Sequence, residues 1–388
     1  LTGEGFFRRF CIMKRNLLGL TRDELEEFAL SIGESRYRGG QLFRWLYAKG
    51  ITDFAAMTDL GKSARAVLQE RAHTEGVALV TRQESAVDGT SKFLFRLPRG
   101  EQIETVLIPP ASAFVPRTVD DDEQQRLTLC VSTQVGCALA CAFCATGTMG
   151  FTRNLTAAEI VDQVLQVRRT TGRRITNVVC MGMGEPLQNY DAVMRAADLL
   201  TAGVGIAARR ITVSTAGWVE GIRRMADEGR RQKLAVSLHA ATDATRGMLM
   251  PVNRRHPLGE LLDALVYYYE RTKMRVTYEV IFFDGVNDSD AEVARLVKIA
   301  RRIPSKINVI PFHSIAFTGV RGAQAALRPS PRMAALVERL RDARLTVMVR
   351  SSAGEDIDAA CGQLVIRERI GARGRVHTTT AERTETCD

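Results

Sequence analysis

The sequence predicts an α/β protein: a partial, TIM-like (β/α)6 barrel preceded by a small helical domain and a short β unit. Three observations predict it. From residue 127 onward, strand-like apolar runs alternate with helix-like runs, which implies a parallel sheet with right-handed crossovers. Six or seven such units fill about 220 residues, too few for a full eight-stranded barrel. A partial barrel or an open doubly wound sheet is expected instead. Ahead of residue 127 the pattern is first helical and then alternating.

The elements follow in order. Thr21 with Glu24 forms a capping-box pattern ahead of LEEFALSIG, and Leu42, Trp45 and Leu46 recur at helical spacing. After a Thr-Asp-Leu-Gly break, residues 62–72 read as a further short helix. Residues 1–75 are thus a helical unit that suits RNA binding or capping of the next domain. Residues 76–108 alternate, with Asp88-Gly89 and Arg99-Gly100 as turns, and predict antiparallel strands. Residues 109–126 are polar and Pro-containing and complete a 76–126 β unit with its linker. Strand-like runs then fall at 127–133, 174–181, 209–215, 233–239, 275–283, 306–311 and 345–350. Helix-like runs fall at 156–170, 189–201, 218–228, 258–272, 288–302 and 330–342. The α/β domain spans 127–366, and 367–388 is a polar, Arg-rich tail.

Composition narrows the function. At 45% hydrophobic and 25% charged, the chain is ordinary globular material, not a disordered one. No run approaches the roughly 18–20 apolar residues of a membrane span, so a soluble protein is expected. The net charge of +10 suits a polyanionic partner without requiring one. The first 20 residues lack the apolar core of a signal peptide, and eight cysteines without one do not read as a disulfide framework. A cytoplasmic protein is expected. Met13 opens a more natural start than Leu1, so residues 1–12 read as an upstream extension.

The strongest chemical signal is VSTQVGCALACAFCATG. Cys137, Cys141 and Cys144 form C-x3-C-x2-C on a loop after the first strand of the α/β domain, at the carboxyl end where such folds place their chemistry. A structural zinc site wants four ligands, usually from paired knuckles, and no second pair is present. A four-iron cluster held by three cysteines leaves one iron open for a ligand. This spacing resembles the radical S-adenosylmethionine superfamily. There the open iron chelates S-adenosylmethionine, and one electron splits it to a 5′-deoxyadenosyl radical.

Other strand ends converge on the same rim. The second strand ends in VVCMGMGEP, where Gly182 and Gly184 permit close approach and Glu185 can accept from an ammonium. Ser214, Ser237 and His239 lie at the carboxyl ends of the third and fourth strands, and three polar residues there suit one shared ligand. The sixth ends in NVIPFH, placing His313 nearby. Cys361, in VRSSAGEDIDAACGQL, sits between small residues and reads as an accessible thiol or a buried structural one. Cys130 lies seven residues before the cluster motif, while Cys11, Cys180 and Cys387 read as incidental.

TLCVSTQVGCALACAFCATG, MGMGEP, SLHA and GEDIDAACGQL together closely resemble the RlmN family of dual-specificity adenine-C2 methyltransferases, from about residue 13 to 366. Cfr, which modifies carbon 8, is a relative. Pro186 fits the RlmN side, where Cfr-like enzymes carry Ala, so carbon 2 is the expected target. The resemblance implies substrates in 23S rRNA and some tRNAs, two S-adenosylmethionine molecules per turnover, and a reductant such as flavodoxin or ferredoxin. It implies that Cys361 carries the methyl group as methyl-cysteine. It matches Glu104 to the base that removes the carbon-2 proton, and Cys130 to the thiol that releases product by forming a disulfide with Cys361. Cofactor contacts carried over fall on Gly184, Glu185, Ser214, Ser237, Leu238, His239 and His313, where the family commonly has Asn at the last. Basic residues of the helical unit (Arg36, Arg38, Arg44) and Arg pairs at 173–174, 209–210 and 254–255 are candidate RNA contacts. A monomer is expected. The competing readings are another radical S-adenosylmethionine enzyme with a different substrate and a zinc- or cluster-stabilised RNA-binding protein.

Overall fold

The computed structural model describes residues 14–110, 126–350 and 352–366. The upstream extension, Cys11, Cys387, the tail and most of the 109–126 connection lie outside the described residues.

The N-terminal unit begins with β1 (Arg15–Asn16), paired in parallel with β2 (Ala72–His73). Helices Arg22–Ser31, Tyr37–Phe43 and Lys62–Arg71 lie between them. The capping box forms as expected: Glu24 N donates to Thr21 Oγ1 (3.3 Å), and Thr21 N donates to Glu24 Oε2 (2.7 Å). Gly39 lets the second helix lie directly on the first, since a Cβ there would stand 2.3 Å from Glu26 Cα. The unit is bound to the next domain by buried apolar side chains and by polar clamps. Arg195 Nε donates to Gly19 O (2.7 Å) and its guanidinium pairs with Glu24, while Arg168 donates to Tyr47 O and Ala48 O.

One ten-stranded sheet organises the rest. Its antiparallel part is β3 (Ala78–Glu84), β4 (Ser91–Arg96) and β5 (Gln102–Ile108). Its parallel part is β6 (Thr128–Cys130), β9 (Asn177–Cys180), β10 (Ile211–Thr215), β11 (Lys233–Ser237), β12 (Val276–Val280), β13 (Ser305–Val309) and β14 (Val347–Val349). A separate hairpin, β7 (Gln134–Gly136) with β8 (Phe151–Asn154), stands at the carboxyl end of β6. The order is 14-13-12-11-10-9-6-5-4-3. The seven parallel strands therefore follow chain order without a reversal. This is the winding of a barrel, and it rules out the doubly wound alternative. The barrel stays open because β6 turns its far edge to β5, not to β14.

That junction differs from the separate β unit expected. β5 pairs antiparallel with β6, Val106 opposite Cys130. The physical reason is edge satisfaction: an open parallel sheet leaves a row of unpaired N–H and C=O groups on β6, and the hairpin strands cover them. The consequence is that Glu104, Cys130 and the second-strand turn become neighbours.

The longer helices of this domain are Ala157–Thr171, Tyr190–Leu199, Val219–Asp227, Leu258–Thr272, Asp290–Ala300 and Met333–Asp342, and the first and fifth start on side-chain caps. Thr156 with Glu159 makes a second capping box, and Ser289 caps the helix that begins at Asp290. Among the described residues no helix is long and apolar enough to cross a membrane.

Gly39→Val should destabilise the protein by about 1–3 kcal/mol through overpacking. Chemical denaturation checks this, and an unchanged midpoint would contradict the close helix contact.

Candidate functional site

The cysteine loop is held inside the β7–β8 hairpin. Gly136 adopts φ +75° and approaches so closely that a Cβ would stand 1.8 Å from Gly150 O, so no other residue fits. Cys137 N donates to the same Gly150 O (3.1 Å) and Ala142 N to Leu249 O (2.8 Å). Cys144 N donates to Cys141 O (3.2 Å), and a short turn, Ala145–Thr148, follows. Burial pushes all three thiols up, Cys137 to about 12; Cys144 adds to the rise at Cys137, both add to it at Cys141, and Cys361 adds to it at Cys144. A thiolate there needs a compensating positive centre.

The donor set tests which centre fits. Three thiols on one loop fall one short of the four ligands a structural zinc site uses, and suit a 4Fe-4S cluster that keeps one iron open.

The turn after β9 wraps this loop. Gly184, at φ +105°, packs against Gln134, whose Cβ would be 2.5 Å from a Cβ added to the glycine. Glu185 is 3% exposed. Its Oε1 accepts from Leu187 N (3.0 Å) and its Oε2 from Ala216 N (2.8 Å), which ties the ends of β9 and β10. Burial pushes its carboxyl up to about 7 against these hydrogen bonds. Ser214 and Ser237 are half-buried near the ends of β10 and β11. Leu238 is in the core, and its N–H and C=O bond Glu279 O and Ala240 N, so it spaces Ser237 from His239 and presents no side chain.

His239 is buried at φ +54°. Its Nδ1 accepts from Ile281 N (3.1 Å), so the proton of the neutral ring sits on Nε2. Burial, helped by Arg246, pulls its pKa down to about 3. The ring meets the edge of Phe143, which stands between Cys141 and Cys144 (centroids 4.5 Å). His313 is buried too, with Nδ1 3.2 Å from Glu355 Oε1.

The turn carrying Cys361 closes over the cluster loop. Ala145 N donates to Gly362 O (2.6 Å) and Thr146 Oγ1 to Leu364 O (2.7 Å). Cys361 is half-buried and packs with Cys137, Cys141 and Phe143 against one apolar group that includes Leu139 and Phe283. Cys130 ends β6 and is buried, its thiol pushed up to about 12 by burial and by Cys361. Both are free thiols here, so the disulfide between them that was expected from the resemblance is absent from this structure. Glu104 on β5 completes the group: its N–H points to Met183 Sδ (3.4 Å) and its C=O accepts from Ser132 Oγ (2.6 Å).

Two cations escaped sequence reasoning. Arg246 is fully buried; it donates to Ala216 O (2.6 Å), Ser237 O (3.3 Å) and Asn253 Oδ1 (2.8 Å), and its charge reaches Cys141. Arg350, just after β14, donates to Met181 Sδ (3.2 Å) and stands within electrostatic reach of both Cys130 and Cys361. Neither sits in a sharp motif. The candidate RNA contacts scatter. Arg36 and Arg38 pair with Glu26 and Glu34, while 173–174 and 209–210 precede β9 and β10, at the sheet edge opposite the cysteines.

A parallel partial barrel whose first loop gathers three cysteines, with glycine, acid and serine ends beside them, defines a radical S-adenosylmethionine protein. Residues 131–297 match the family model "Radical SAM superfamily", which implies a 4Fe-4S cluster and S-adenosylmethionine. Residues 15–74 match "Ribosomal RNA large subunit methyltransferase N-terminal domain". The chain is 46% identical to the dual-specificity RNA methyltransferase RlmN of Syntrophobacter fumaroxidans, covering 89% of this chain and 96% of that protein. It is 46% identical to that of Geobacter sulfurreducens, covering 90% and 91%. A crystal structure of a radical SAM methyltransferase from Sphaerobacter thermophilus superposes with TM-score 0.80 at 45% identity, covering 90% of this chain and 99% of that one. The chain belongs to the RlmN family of radical S-adenosylmethionine RNA methyltransferases.

With its pKa near 3, His239 should stay neutral throughout the physiological range. Its imidazole resonances should not titrate between pH 5 and 8, and a midpoint near the ordinary ~6.5 would contradict the buried geometry.

Proposed function

We propose that this protein methylates carbon 2 of a specific adenosine in 23S rRNA and of an adenosine in some tRNAs, through methylated Cys361. One observation carries the reading. Glu104, Cys130, the cluster loop and Cys361 come from four separate segments, yet share one buried neighbourhood.

When bound, S-adenosylmethionine and a 4Fe-4S cluster supply the methyl group and the hydrogen-abstracting radical, at two S-adenosylmethionine per turnover. Cys137, Cys141 and Cys144 hold the cluster. Gly184, Glu185, Ser214, Ser237, Leu238, His239 and His313 frame the S-adenosylmethionine pocket, with Leu238 acting through its backbone. Carbon 2 of adenine is electron-poor, so ordinary methyl displacement on it is unfavourable. The Cys361 sulfur takes the methyl group instead. After losing one hydrogen, its carbon bonds to carbon 2. The adduct then gives up one electron, which a bound 4Fe-4S cluster would accept, and the carbon-2 proton, which goes to Glu104. Cys130 as thiolate attacks the Cys361 sulfur: an S–S bond forms, the C–S bond breaks, and its electron pair passes to the methylene carbon, which takes up a solvent proton to become the new methyl. The disulfide is thus a late state of the cycle. Arg350 lies within electrostatic reach of both sulfurs and favours the Cys130 thiolate.

The target base must leave its stack to reach this buried group. The +10 charge favours RNA phosphates, and the protein works in the cytoplasm as a monomer with a flavodoxin- or ferredoxin-type reductant.

Anaerobic reconstitution should give about four irons per chain. Replacing any of Cys137, Cys141 or Cys144 by Ala should abolish S-adenosylmethionine cleavage. Zinc alone, without cleavage, would contradict the reading. Mapping 2-methyladenosine in RNA from cells with and without the gene should show loss at both RNA classes. Persistence of the mark, or its appearance at carbon 8, would overturn the assignment. RNA affinity should fall steeply with added salt, and a flat dependence would argue against an RNA substrate.

A further inference from the structure

A buried ion pair grips both ends of the Cys361 turn. Lys92 on β4 and Glu104 on β5 are diagonal neighbours: Lys92 stands opposite Val106, and Glu104 opposite Leu94. Their side chains are 11% and 8% exposed, with Nζ 3.3 Å from Oε1. Lys92 Nζ also donates to Asp358 O (3.3 Å), and Glu104 Oε2 accepts from Val365 N (2.8 Å). Cys361 lies between those two anchor points.

The pair opens on a cavity of about 380 Å³ that Asp356, Asp358, Gln363 and Phe317 also line. Lys92 is the one cation among the described residues that line it. The ionisable groups facing Glu104 are thus Lys92 from β4, and Asp356 and Asp358 from the turn. Burial pushes the Glu104 carboxyl up, Lys92 pulls it down, and Asp358 pushes it up again. Without the lysine, a buried carboxylate would face two aspartates with one backbone N–H for support.

We propose that Lys92 is a positioning residue for methyl transfer: it holds Glu104 as a carboxylate beside the adduct and fixes the Asp358 end of the Cys361 turn. This rests on reading Glu104 as the proton acceptor. In that step the carbon-2 C–H bond breaks, its electron pair stays with the ring, and an O–H bond forms at Glu104. The Lys92 ammonium stabilises the carboxylate between turnovers.

The test is the pH profile of RNA methylation by reconstituted holoenzyme, with the methylated fraction of Cys361 read in parallel by mass spectrometry. Lys92→Met should move the acidic limb up by about one pH unit or more and slow methylation about tenfold at neutral pH, with recovery toward alkaline pH. Lys92→Arg, which keeps the charge, should hold the limb in place. Cys361 methylation does not use Glu104 and should show no such shift. Lys92→Gln serves if the Met variant loads its cluster poorly. A limb that stays put in the uncharged variants, with the rate either normal or uniformly lowered, overturns the inference. Glu104→Gln separates the two readings. If it methylates RNA normally, Glu104 is not the proton acceptor. If it is inactive while Lys92→Met shows no shift, only the role of Lys92 falls.

Discussion

The turn that carries Cys361 is joined to the rest of the site through its own backbone. Gly362 O and Leu364 O accept from Ala145 N and Thr146 Oγ1 at the end of the cluster loop, and Val365 N donates to Glu104. Gly354 N, at the start of the same segment, donates to Asp88 Oδ2 (2.8 Å) in the β3–β4 turn. Each bond contributes modestly, about 0.5–1.5 kcal/mol net. Together they set where the Cys361 sulfur stands relative to the cluster cysteines on one side and Glu104 on the other. The arrangement exists because β5 lies against β6. If the antiparallel strands formed a free-standing unit, Glu104 and Asp88 would have no fixed relation to the barrel.

Around that seam the protein buries charge and answers it almost entirely with backbone. Glu185 receives two N–H groups, Arg246 gives to two carbonyls and one amide, and Glu104 meets one N–H and one ammonium. Buried unpaired groups would each cost about 1–3 kcal/mol, so these contacts are required wherever the residues are charged. They also fix strand ends: Glu185 joins β9 to β10, and Arg246 joins the end of β10 to that of β11. The rim that frames a ligand is therefore stiff before the ligand arrives, which lowers the ordering cost of binding.

Much of this was legible in the sequence. The alternation of strands and helices is a short-range pattern, and the capping pair Thr21 with Glu24 marked its helix start correctly. Three cysteines within eight residues declare a shared centre by proximity alone. The β5–β6 junction was not legible, because strand pairing across a polar connection leaves no local trace. Arg246, Arg350 and Lys92 were invisible for a different reason. Among 54 basic residues, nothing local separates a buried cation from a solvated one. Glu104 and Cys130 acquired roles only through family resemblance; the fold then brought them within reach of Cys361. The Arg pairs at 173–174 and 209–210 looked like RNA contacts, yet they lie at the amino-terminal edge of the sheet, away from the cysteines.

The central claim is that the RNA methyl group passes through the Cys361 sulfur and is released by Cys130. Peptide mass spectrometry of the reconstituted Cys130→Ala enzyme after turnover with RNA tests it most directly. The account predicts adenosine joined to Cys361 through one methylene carbon, with little free methylated RNA. Unmodified Cys361 alongside normally methylated RNA would contradict it.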